Sequence, residues 1–320
     1  MSACRIVLLA FPDAQSLDFV GPLEVFGIAE RLDPGRYSVE VVAPSAAPFA
    51  TNSGLKVTPD RSTRACRGPI DTLVVAGGQG VRGALRDPSL VSWIARSAER
   101  SRRVASVCTG AFLLAEAGLL DGRRVATHWA SADRLAERHP GIEVDPESIY
   151  VRDGDVWTSA GVTAGMDLAL ALVEDDHGPE AALAVARWLV LYAKRPGGQS
   201  QFSAALATQT AERRPLREVQ EWVRANPGGD CSVEALAERA HMSPRNFSRA
   251  FSAEVGMTPA AWVEASRVDL AKGLLETTFA STEAVAAECG FGTVETLRRA
   301  FRRRLGVSPG QYRERFRAAA

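Results

Sequence analysis

The 320-residue sequence is poor in the residues that build disulfide scaffolds, structural metal sites and membrane spans. Its five cysteines form an odd, widely scattered set without a Cys-x-x-Cys pair, and its four histidines do not cluster. No apolar run approaches the roughly 20 residues that a membrane helix requires. The N-terminal residues also lack the pattern of a signal peptide. We therefore expect a cytoplasmic protein without a disulfide framework, a bound metal or another cofactor.

Positive and negative charges balance over the whole chain but not along it. Residues 1–210 carry 21 basic and 24 acidic side chains, whereas residues 211–320 carry 17 and 14, a net charge of +3. Residues 292–320 hold eight arginines against two glutamates. Such a local excess is typical of a surface that faces phosphates. A solvated arginine-rich helix is the alternative, because arginine outnumbers lysine throughout the chain.

The length of the chain predicts two or three domains. In the first 194 residues, short runs rich in Val, Ile and Leu alternate with segments of helical periodicity, which predicts an α/β domain with a parallel sheet. The strand candidates are residues 5–11, 37–44, 71–76 and 104–108, and the helix candidates are residues 90–100, 110–120, 130–138, 162–174 and 180–192. Residues 195–214, which include paired glycines and a proline, are predicted to be a linker.

Residues 215–320 show only helical patterns and contain a degenerate internal repeat with a spacing of 50 residues. Arg249-Ala-Phe251 matches Arg299-Ala-Phe301, and Gly256 matches Gly306. Upstream of these matches the spacing changes to 49, so one turn is a residue longer than the other. The repeat predicts two copies of one helical unit.

The first copy has the pattern of a helix-turn-helix unit. Residues 233–240 form a short helix with one apolar face, and a turn follows at His241. Ser243 and Pro244 are an N-cap and a first-turn proline for a second helix that ends at Gly256.

The second copy repeats this design. Its short helix covers residues 282–289, its turn residues 290–292, Thr293 is the predicted cap, and Gly306 ends the second helix.

Outward side chains on the second helix of each copy are the candidate DNA contacts, because a helix-turn-helix unit places that helix in the major groove. Arginine can bind guanine, and asparagine adenine, through two parallel hydrogen bonds. The candidates are Arg245, Asn246 and Arg249 in the first copy and Val294, Arg298 and Arg299 in the second, with Arg302, Arg303 and Arg304 as phosphate contacts.

Residues 215–317 resemble the AraC/XylS-type DNA-binding domain. The resemblance lies in the segment from Ser243 to Phe251, in Gly256-Met-Thr-Pro259, and in the corresponding segment from Cys289 to Tyr312. It implies a transcriptional regulator whose two recognition helices enter successive major grooves of promoter DNA. A helical bundle that merely repeats is the structural alternative.

Cys108 stands where a buried strand, residues 104–108, turns through Thr109 and Gly110 into an apolar helix. A sharp strand-to-helix turn lifts a side chain above the sheet, and a helix N-terminus favours a thiolate. We therefore expect a reactive thiol. Gly77 and Gly78 could direct backbone N–H groups towards a ligand near it, although a Gly-Gly pair is equally typical of a tight turn.

Residues 1–192 resemble the ThiJ/PfpI superfamily, which has a class I glutamine-amidotransferase-like, flavodoxin-like fold. The matching segments begin at Asp18, Val74, Cys108, Gly118 and Thr158. The resemblance implies that Cys108 is the elbow residue, that Asp18 is the acid near the thiol, and that the amides of Gly77 and Gly78 face it. Thr109 departs from the histidine of the peptidase members and is more similar to the isocyanide hydratases, so proteolysis is not expected.

His128 is a candidate acid, base or ligand donor, with a hydrogen-bonded structural histidine as the alternative. Glu24 on the first helix is expected to be structural. Trp129 and Trp157 either line a pocket or fill the core. The predicted ligand-binding residues are Asp18, Gly77, Gly78, Cys108, Thr109 and His128.

Two functions remain open at this point. One is a regulator that is not an enzyme, in which the first domain binds a small molecule or dimerises the chain and the second binds promoter DNA. The resemblance implies that the effector is a nitrogenous metabolite such as an amino acid or a quaternary amine. The other is a hydrolase or hydratase with Cys108 as nucleophile, Asp18 as its partner and an accessory DNA-binding tail.

Overall fold

The computed structural model describes residues 3–192, 198–199, 211 and 213–316. The chain divides into two compact units, Met1–Arg195 and Pro196–Ala320, each considered by itself below. Most of the predicted linker, residues 195–214, lies outside the described residues. Among those described, no helix is both long enough and apolar enough to cross a membrane.

A mostly parallel sheet forms the centre of the first unit. Within the described residues it contains seven strands in the order β10-β11-β7-β6-β1-β2-β5, and only the β10–β11 pair is antiparallel. Two small sheets pair β3 with β4 and β8 with β9. The strands are β1 (Cys4–Leu9), β2 (Tyr37–Ala43), β3 (Phe49–Ala50), β4 (Lys56–Val57), β5 (Arg61–Ser62), β6 (Ile70–Val75), β7 (Ser101–Val107), β8 (Arg124–Ala126), β9 (Glu143–Asp145), β10 (Tyr150–Asp153) and β11 (Val156–Ser159).

Helices cover this sheet and bury the near-continuous apolar runs of β1, β6 and β7. The first, sixth and seventh helices pack against one another, and the second and third helices each pack against the fourth. The helices are α1 (Ser16–Leu32), α2 (Val81–Ala84), α3 (Pro88–Ala98), α4 (Gly110–Glu116), α5 (Ala132–Arg138), α6 (Ala164–His177) and α7 (Pro179–Trp188), with a 3₁₀ turn at Trp129–Ser131. The predicted α/β class is confirmed.

The predicted segments agree with these elements except near their ends. The predicted strand 104–108 ends one residue early, at Val107, so Cys108 belongs to the turn. The predicted helix 110–120 stops at Glu116 because Gly118 takes a positive φ of 72° and closes its C-terminus.

The second unit is helical throughout its described residues. Its helices are α8 (Arg214–Ala225), α9 (Val233–Arg239), α10 (Pro244–Val255), α11 (Pro259–Thr277), α12 (Thr282–Glu288), α13 (Val294–Leu305) and α14 (Pro309–Phe316). The hydroxyls of Ser243 and Thr293 cap α10 and α13, and left-handed Gly256 and Gly306 end them, as predicted.

Two hydrophobic cores divide this unit, and α11 contributes to both. Trp262 and Val263 lie in the core of α8, α9 and α10, whereas Val268, Ala271 and Leu275 lie in the core of α12, α13 and α14. Four residues separate α9 from α10 and five separate α12 from α13. The predicted one-residue difference between the two turns is therefore present.

Candidate functional site

Cys108 occupies the elbow between β7 and α4 and adopts a positive φ of 57°. Its backbone is held on both sides, because its N–H donates to the carbonyl of Ser159 (3.1 Å) and its carbonyl accepts from the hydroxyl of Thr127 (2.8 Å). Left-handed backbone at a residue other than glycine costs on the order of 1–3 kcal/mol and persists only where its surroundings enforce it. The structure therefore holds the thiol at a fixed point above the sheet.

Asp18, in the first turn of α1, lies fully buried beside this thiol. Its two carboxylate oxygens accept backbone N–H groups from Gly77 (3.0 Å) and Val162 (2.9 Å), and its carboxyl group also makes a hydrogen bond with Cys108. Burial raises the pKa of Asp18 to about 6, and these three hydrogen bonds oppose the rise. The structure thus places the predicted acid next to the predicted thiol.

The surroundings of Cys108 do not favour the expected thiolate. Burial, and then the charge of Asp18, raise the pKa of the Cys108 thiol to about 12, although hydrogen bonds from the N–H and hydroxyl of Thr109 oppose the shift. The thiol is only 8% exposed. The N-terminus of α4, a helix of seven residues, does not outweigh burial and a neighbouring acid.

Gly77 and Gly78 lie beside the elbow, but their N–H groups do not point freely at a ligand. The N–H of Gly77 binds Asp18, and that of Gly78 binds the hydroxyl of Thr109 (2.9 Å). A Cβ at Gly77 would lie 2.5 Å from the Thr109 nitrogen, so glycine is required for the close approach. The expectation of free amides facing the thiol is therefore corrected, because both amides hold the site together.

His128 is half-buried at the end of the segment that follows β8. Its Nδ1 accepts the N–H of Ala130 (3.3 Å), which leaves the proton of the neutral ring on Nε2. Burial lowers the pKa of His128, so the ring is neutral at pH 7 and offers an N–H donor.

Two other residues considered from the sequence lie outside the pocket. Trp157 is buried and fills the core. Glu24 is exposed on α1 and does not line the thiol pocket.

A pocket of about 580 Å³ opens at the elbow and joins Cys108, Thr109, His128 and Gly78. Asp18 lies beneath the residues that line it. Sequence reasoning missed the rest of the lining, which consists of Gln15, Asn52, Gln79, Val81, Arg82, Ser131, Arg134 and Val162. Arg82 lies five residues or fewer after Gly77 and Gly78, and Arg134 lies six residues after His128. This nearness in sequence to predicted site residues could have suggested that both arginines line the pocket.

The second unit presents most of the predicted DNA contacts to solvent. Arg245, Asn246 and Arg249 are exposed on α10, and Arg249 donates to the side-chain carbonyl of Asn246 (3.1 Å). On α13, Arg298, Arg299 and Arg302 are exposed, whereas Val294 is half-buried against the second core.

Two arginines predicted to contact phosphate also contact α11. Arg303 and Arg304 both bind Glu264 on α11, and Arg304 also donates to the carbonyl of Ala261. These contacts fix α13 to α11. The sequence does not reveal these contacts, because about 40 residues separate Glu264 from the two arginines.

One group of possible metal ligands occurs among the described residues, formed by Cys4, Asp71 and Asp176. Both carboxylates are already bound to arginine, since Arg102 contacts each of them and Arg103 binds Asp176. Guanidinium groups satisfy these charges where a cation would have to sit, so the group does not have the character of a metal site.

Comparison with known proteins agrees with this architecture. A model of the DJ-1/PfpI family matches residues 4–175, and a helix-turn-helix domain model matches residues 236–315. The chain is 31% identical to the HTH-type transcriptional regulator CdhR of Pseudomonas aeruginosa over 95% of this chain and 90% of that protein. It is 35% identical to an isonitrile hydratase of Pseudomonas putida over 56% of this chain and 75% of that protein.

A solved structure gives the same fold. The crystal structure of a ThiJ/PfpI family protein from Pseudomonas syringae covers 75% of this chain and 90% of its own, with 26% identity and a TM-score of 0.55. An α/β domain joined to tandem helix-turn-helix units defines a DNA-binding transcriptional regulator. The chain belongs to the DJ-1/PfpI family and carries an AraC-type helix-turn-helix domain at its C-terminal end.

Proposed function

We propose that this regulator responds to a small nitrogenous metabolite that binds in the pocket beside Cys108. The pocket itself supports this proposal. It is a cavity of about 580 Å³ over the elbow at Cys108, in a chain that also contains two helix-turn-helix units. Its size suits a small organic ligand. The nitrogenous class is the one implied by the resemblance to regulators that combine these two domains.

The residues around the pocket divide into two roles in this proposal. Cys108, Thr109 and His128 contact the effector, with the neutral imidazole of His128 as an N–H donor. Asp18, Gly77 and Gly78 position the elbow, because their polar groups are already bound to one another and to Thr109.

The DNA contacts in this proposal come from the exposed faces of α10 and α13. Arg245, Asn246 and Arg249 contact one major groove. Val294, Arg298, Arg299 and Arg302 contact the next, with Val294 placed for an apolar contact at the start of α13. Footprinting tests this arrangement, since it should protect two adjacent major grooves, and protection of a single groove would contradict it.

A homodimer is the expected assembly. One chain presents only two recognition helices, and a second chain on a neighbouring half-site raises the effective concentration of these contacts. Sedimentation of the full chain should give a dimer at micromolar concentration. A monomer under those conditions that also binds operator DNA as a single copy would remove this part of the proposal.

The effector proposal is tested by a thermal-shift screen of the full chain against amino acids and quaternary amines, followed by footprinting with each stabilising compound. A compound that raises Tm and changes DNA occupancy supports the proposal. Gln79→Trp, which fills the mouth of the pocket, should abolish both effects, and Arg86→Trp on the exposed turn after α2 is its matched control. Effects that survive in Gln79→Trp would place the effector site elsewhere.

A cysteine-dependent hydratase is the second candidate, favoured by the contact between Cys108 and Asp18 and by the relative named as an isonitrile hydratase. The high thiol pKa and the occupied amides of Gly77 and Gly78 argue for binding without turnover. The two functions separate in one assay, hydration of a small alkyl isocyanide followed by NMR. Turnover by the wild type that Cys108→Ser loses would establish the enzyme, and no turnover would favour the regulator.

A further inference from the structure

Each recognition helix, α10 or α13, holds an exposed arginine against the side chain three residues before it. On α10, Nη2 of Arg249 donates a hydrogen bond to Oδ1 of Asn246 (3.1 Å). On α13, Nη1 of Arg298 lies 3.8 Å from a carboxylate oxygen of Glu295. All four residues are exposed and lie in the first two turns of their helices. The same arrangement therefore occurs once in each helix-turn-helix unit.

The contact between Asn246 and Arg249 does not suit the base contact expected of Asn246. An asparagine binds adenine through its amide oxygen and its amide nitrogen together. In this structure the oxygen already accepts a hydrogen bond from Arg249. A guanidinium group has five N–H donors, so Arg249 can bind Asn246 with one of them and a guanine with others. The contact thus favours Arg249 as the residue that binds a base and Asn246 as the residue that holds it.

Glu295 places a negative charge on a helix that is expected to face DNA. The sequence of α13, VETLRRAFRRRL, contains Glu295 as its one acidic residue beside five arginines. Phosphates repel a carboxylate in this position unless a cation neutralises it. Arg298 supplies that cation, and Glu295 in turn restricts the direction of the Arg298 side chain. The first turn also suits an acid, because the helix dipole is positive there.

A restricted arginine is a better reader of DNA sequence than a free one. The long side chain loses rotamer freedom when it binds a base, and a neighbour that restricts it beforehand removes part of this cost. Such a neighbour also fixes the two N–H donors that must match O6 and N7 of guanine. Asn246 and Glu295 can therefore raise the preference for guanine without contacting a base.

The two pairs do not occupy equivalent positions of the internal repeat. With the spacing of 50 residues, Arg249 corresponds to Arg299, whereas Arg298 corresponds to Ser248. The two restricted arginines are therefore displaced by one residue, which is a rotation of about 100° around a helix. The two groove segments that one chain contacts should consequently differ in base sequence.

We propose that Arg249 and Arg298 each bind a guanine, and that Asn246 and Glu295 are positioning residues that hold these guanidinium groups instead of binding a base themselves. Glu295 thereby contributes to specificity, and Asn246 is not an adenine contact. The inference deepens the proposed function and rests on it, because it assumes that α10 and α13 enter the major groove.

The experiment uses the full chain and a random library of double-stranded DNA, from which repeated selection gives a preferred duplex. Kd is then measured for that duplex and for its variants at each base pair, so that a base preference is the ratio of two Kd values. Arg249→Ala and Arg298→Ala should each abolish a preference for guanine at one position, a loss on the order of 10- to 100-fold. These two positions locate the two guanines.

Substitutions of the positioning residues should act at the same two guanines. Asn246→Ala and Glu295→Ala should each lower the preference on the order of 2- to 10-fold, because the arginine loses one contact that restricts it. Asn246→Asp and Glu295→Gln keep a side-chain oxygen that can accept from the arginine, and should retain most of the preference. The readout is the ratio of Kd values, since Asn246→Asp also adds a negative charge near the phosphates.

Glu218→Ala is the matched control. It removes an exposed ion pair with Arg214 within α8 and should leave every base preference unchanged. The Tm of each variant is measured in parallel. A lower Tm for Asn246→Ala and Glu295→Ala with unchanged base preferences would show that both residues only stabilise their helices, which would overturn the proposal.

The remaining outcomes distinguish this inference from the proposed function. If Asn246→Ala relaxes a preference for adenine, or Glu295→Ala a preference for cytosine, that residue binds a base and is not a positioning residue. If Arg249→Ala and Arg298→Ala weaken all sequences alike, the two arginines bind phosphate, and only the inference fails. If both variants bind every duplex as wild type does, these faces of α10 and α13 do not contact DNA, and the proposed arrangement of DNA contacts fails as well.

Discussion

Gly161 lies so close to Cys108 that a side chain at position 161 would overlap the thiol. A Cβ there would be 2.4 Å from the Cβ of Cys108 and 2.8 Å from its Sγ, and Gly161 itself has a positive φ of 110°. The next residue, Val162, also has a positive φ and donates its N–H to Asp18. The loop after β11 therefore forms one wall of the elbow and binds its acid.

The first prediction concerns this wall. Gly161→Ala should lower the free energy of unfolding of the first unit by about 2 kcal/mol or more, because it adds a steric overlap to a backbone conformation that alanine disfavours. Hydrogen exchange of β7 peptides reports the change in this unit alone. Gly27→Ala on α1, where a Cβ meets no atom within 4 Å, is the control and should be neutral or stabilising. Equal stability of the two variants would contradict the prediction.

The second prediction concerns the pH dependence of Asp18. Its pKa in the folded protein, about 6, is above that of an aspartate in an unfolded chain, so the folded state binds this proton more tightly. At pH 7 the buried, ionised carboxylate lowers the free energy of unfolding. This loss is reversed as Asp18 takes up its proton between pH 6 and pH 4. Between pH 7 and pH 4, wild type should therefore gain on the order of 2 to 3 kcal/mol relative to Asp18→Asn, which cannot titrate.

Hydrogen exchange of β7 peptides in steps of pH measures this difference. Parallel pH profiles for wild type and Asp18→Asn would show that Asp18 titrates as an ordinary aspartate.

The third prediction ranks the cysteines by reactivity. At pH 8, iodoacetamide should modify half-exposed Cys231 at least about tenfold faster than Cys108, because Cys108 is buried and its pKa is raised to about 12. Asp18→Asn removes one cause of that raised pKa and should speed the reaction of Cys108. Peptide mass spectrometry over time measures both rates. Modification of Cys108 before Cys231 would restore the original expectation of a reactive thiolate.

The fourth prediction concerns DNA. Arg249→Ala and Arg299→Ala should each weaken promoter binding. Loss of a base contact should cost about 1–3 kcal/mol of binding free energy. Loss of a phosphate contact should instead flatten, by about one, the slope of the logarithm of the binding constant against the logarithm of the salt concentration. Arg303→Ala should leave that slope unchanged, because Glu264 already binds this guanidinium. Arg217→Ala on α8 is a further control. A flatter slope in Arg303→Ala would return that residue to the phosphate contacts.

The sequence predicted the central strands because burial on both faces makes them continuous apolar runs, as in β1, β6 and β7. It missed β8 to β11, which are only three or four residues long and whose pattern is too short to separate from loop. Both helix-turn-helix units were predicted because their caps, turn glycines and repeat spacing are local signals.

The site was harder to predict because its properties depend on contacts between distant segments. The position of Cys108 at an elbow is local and was found, but its pKa depends on burial and on Asp18, 90 residues earlier. The roles of Gly77 and Gly78 depend on which acceptors reach them, and the role of Arg304 depends on Glu264. Periodicity and spacing contain none of these distances.

The shared helix α11 has a consequence for the promoter. Because one continuous 19-residue helix enters both cores of the DNA-binding unit, the offset between the two recognition helices is set by a stiff rod of about 28 Å. Each base pair added between the two groove segments that one chain contacts rotates one segment against the other by about 35° and moves it by about 3.4 Å. An operator for this protein should therefore tolerate base changes within these two segments far better than a single inserted or deleted base pair between them.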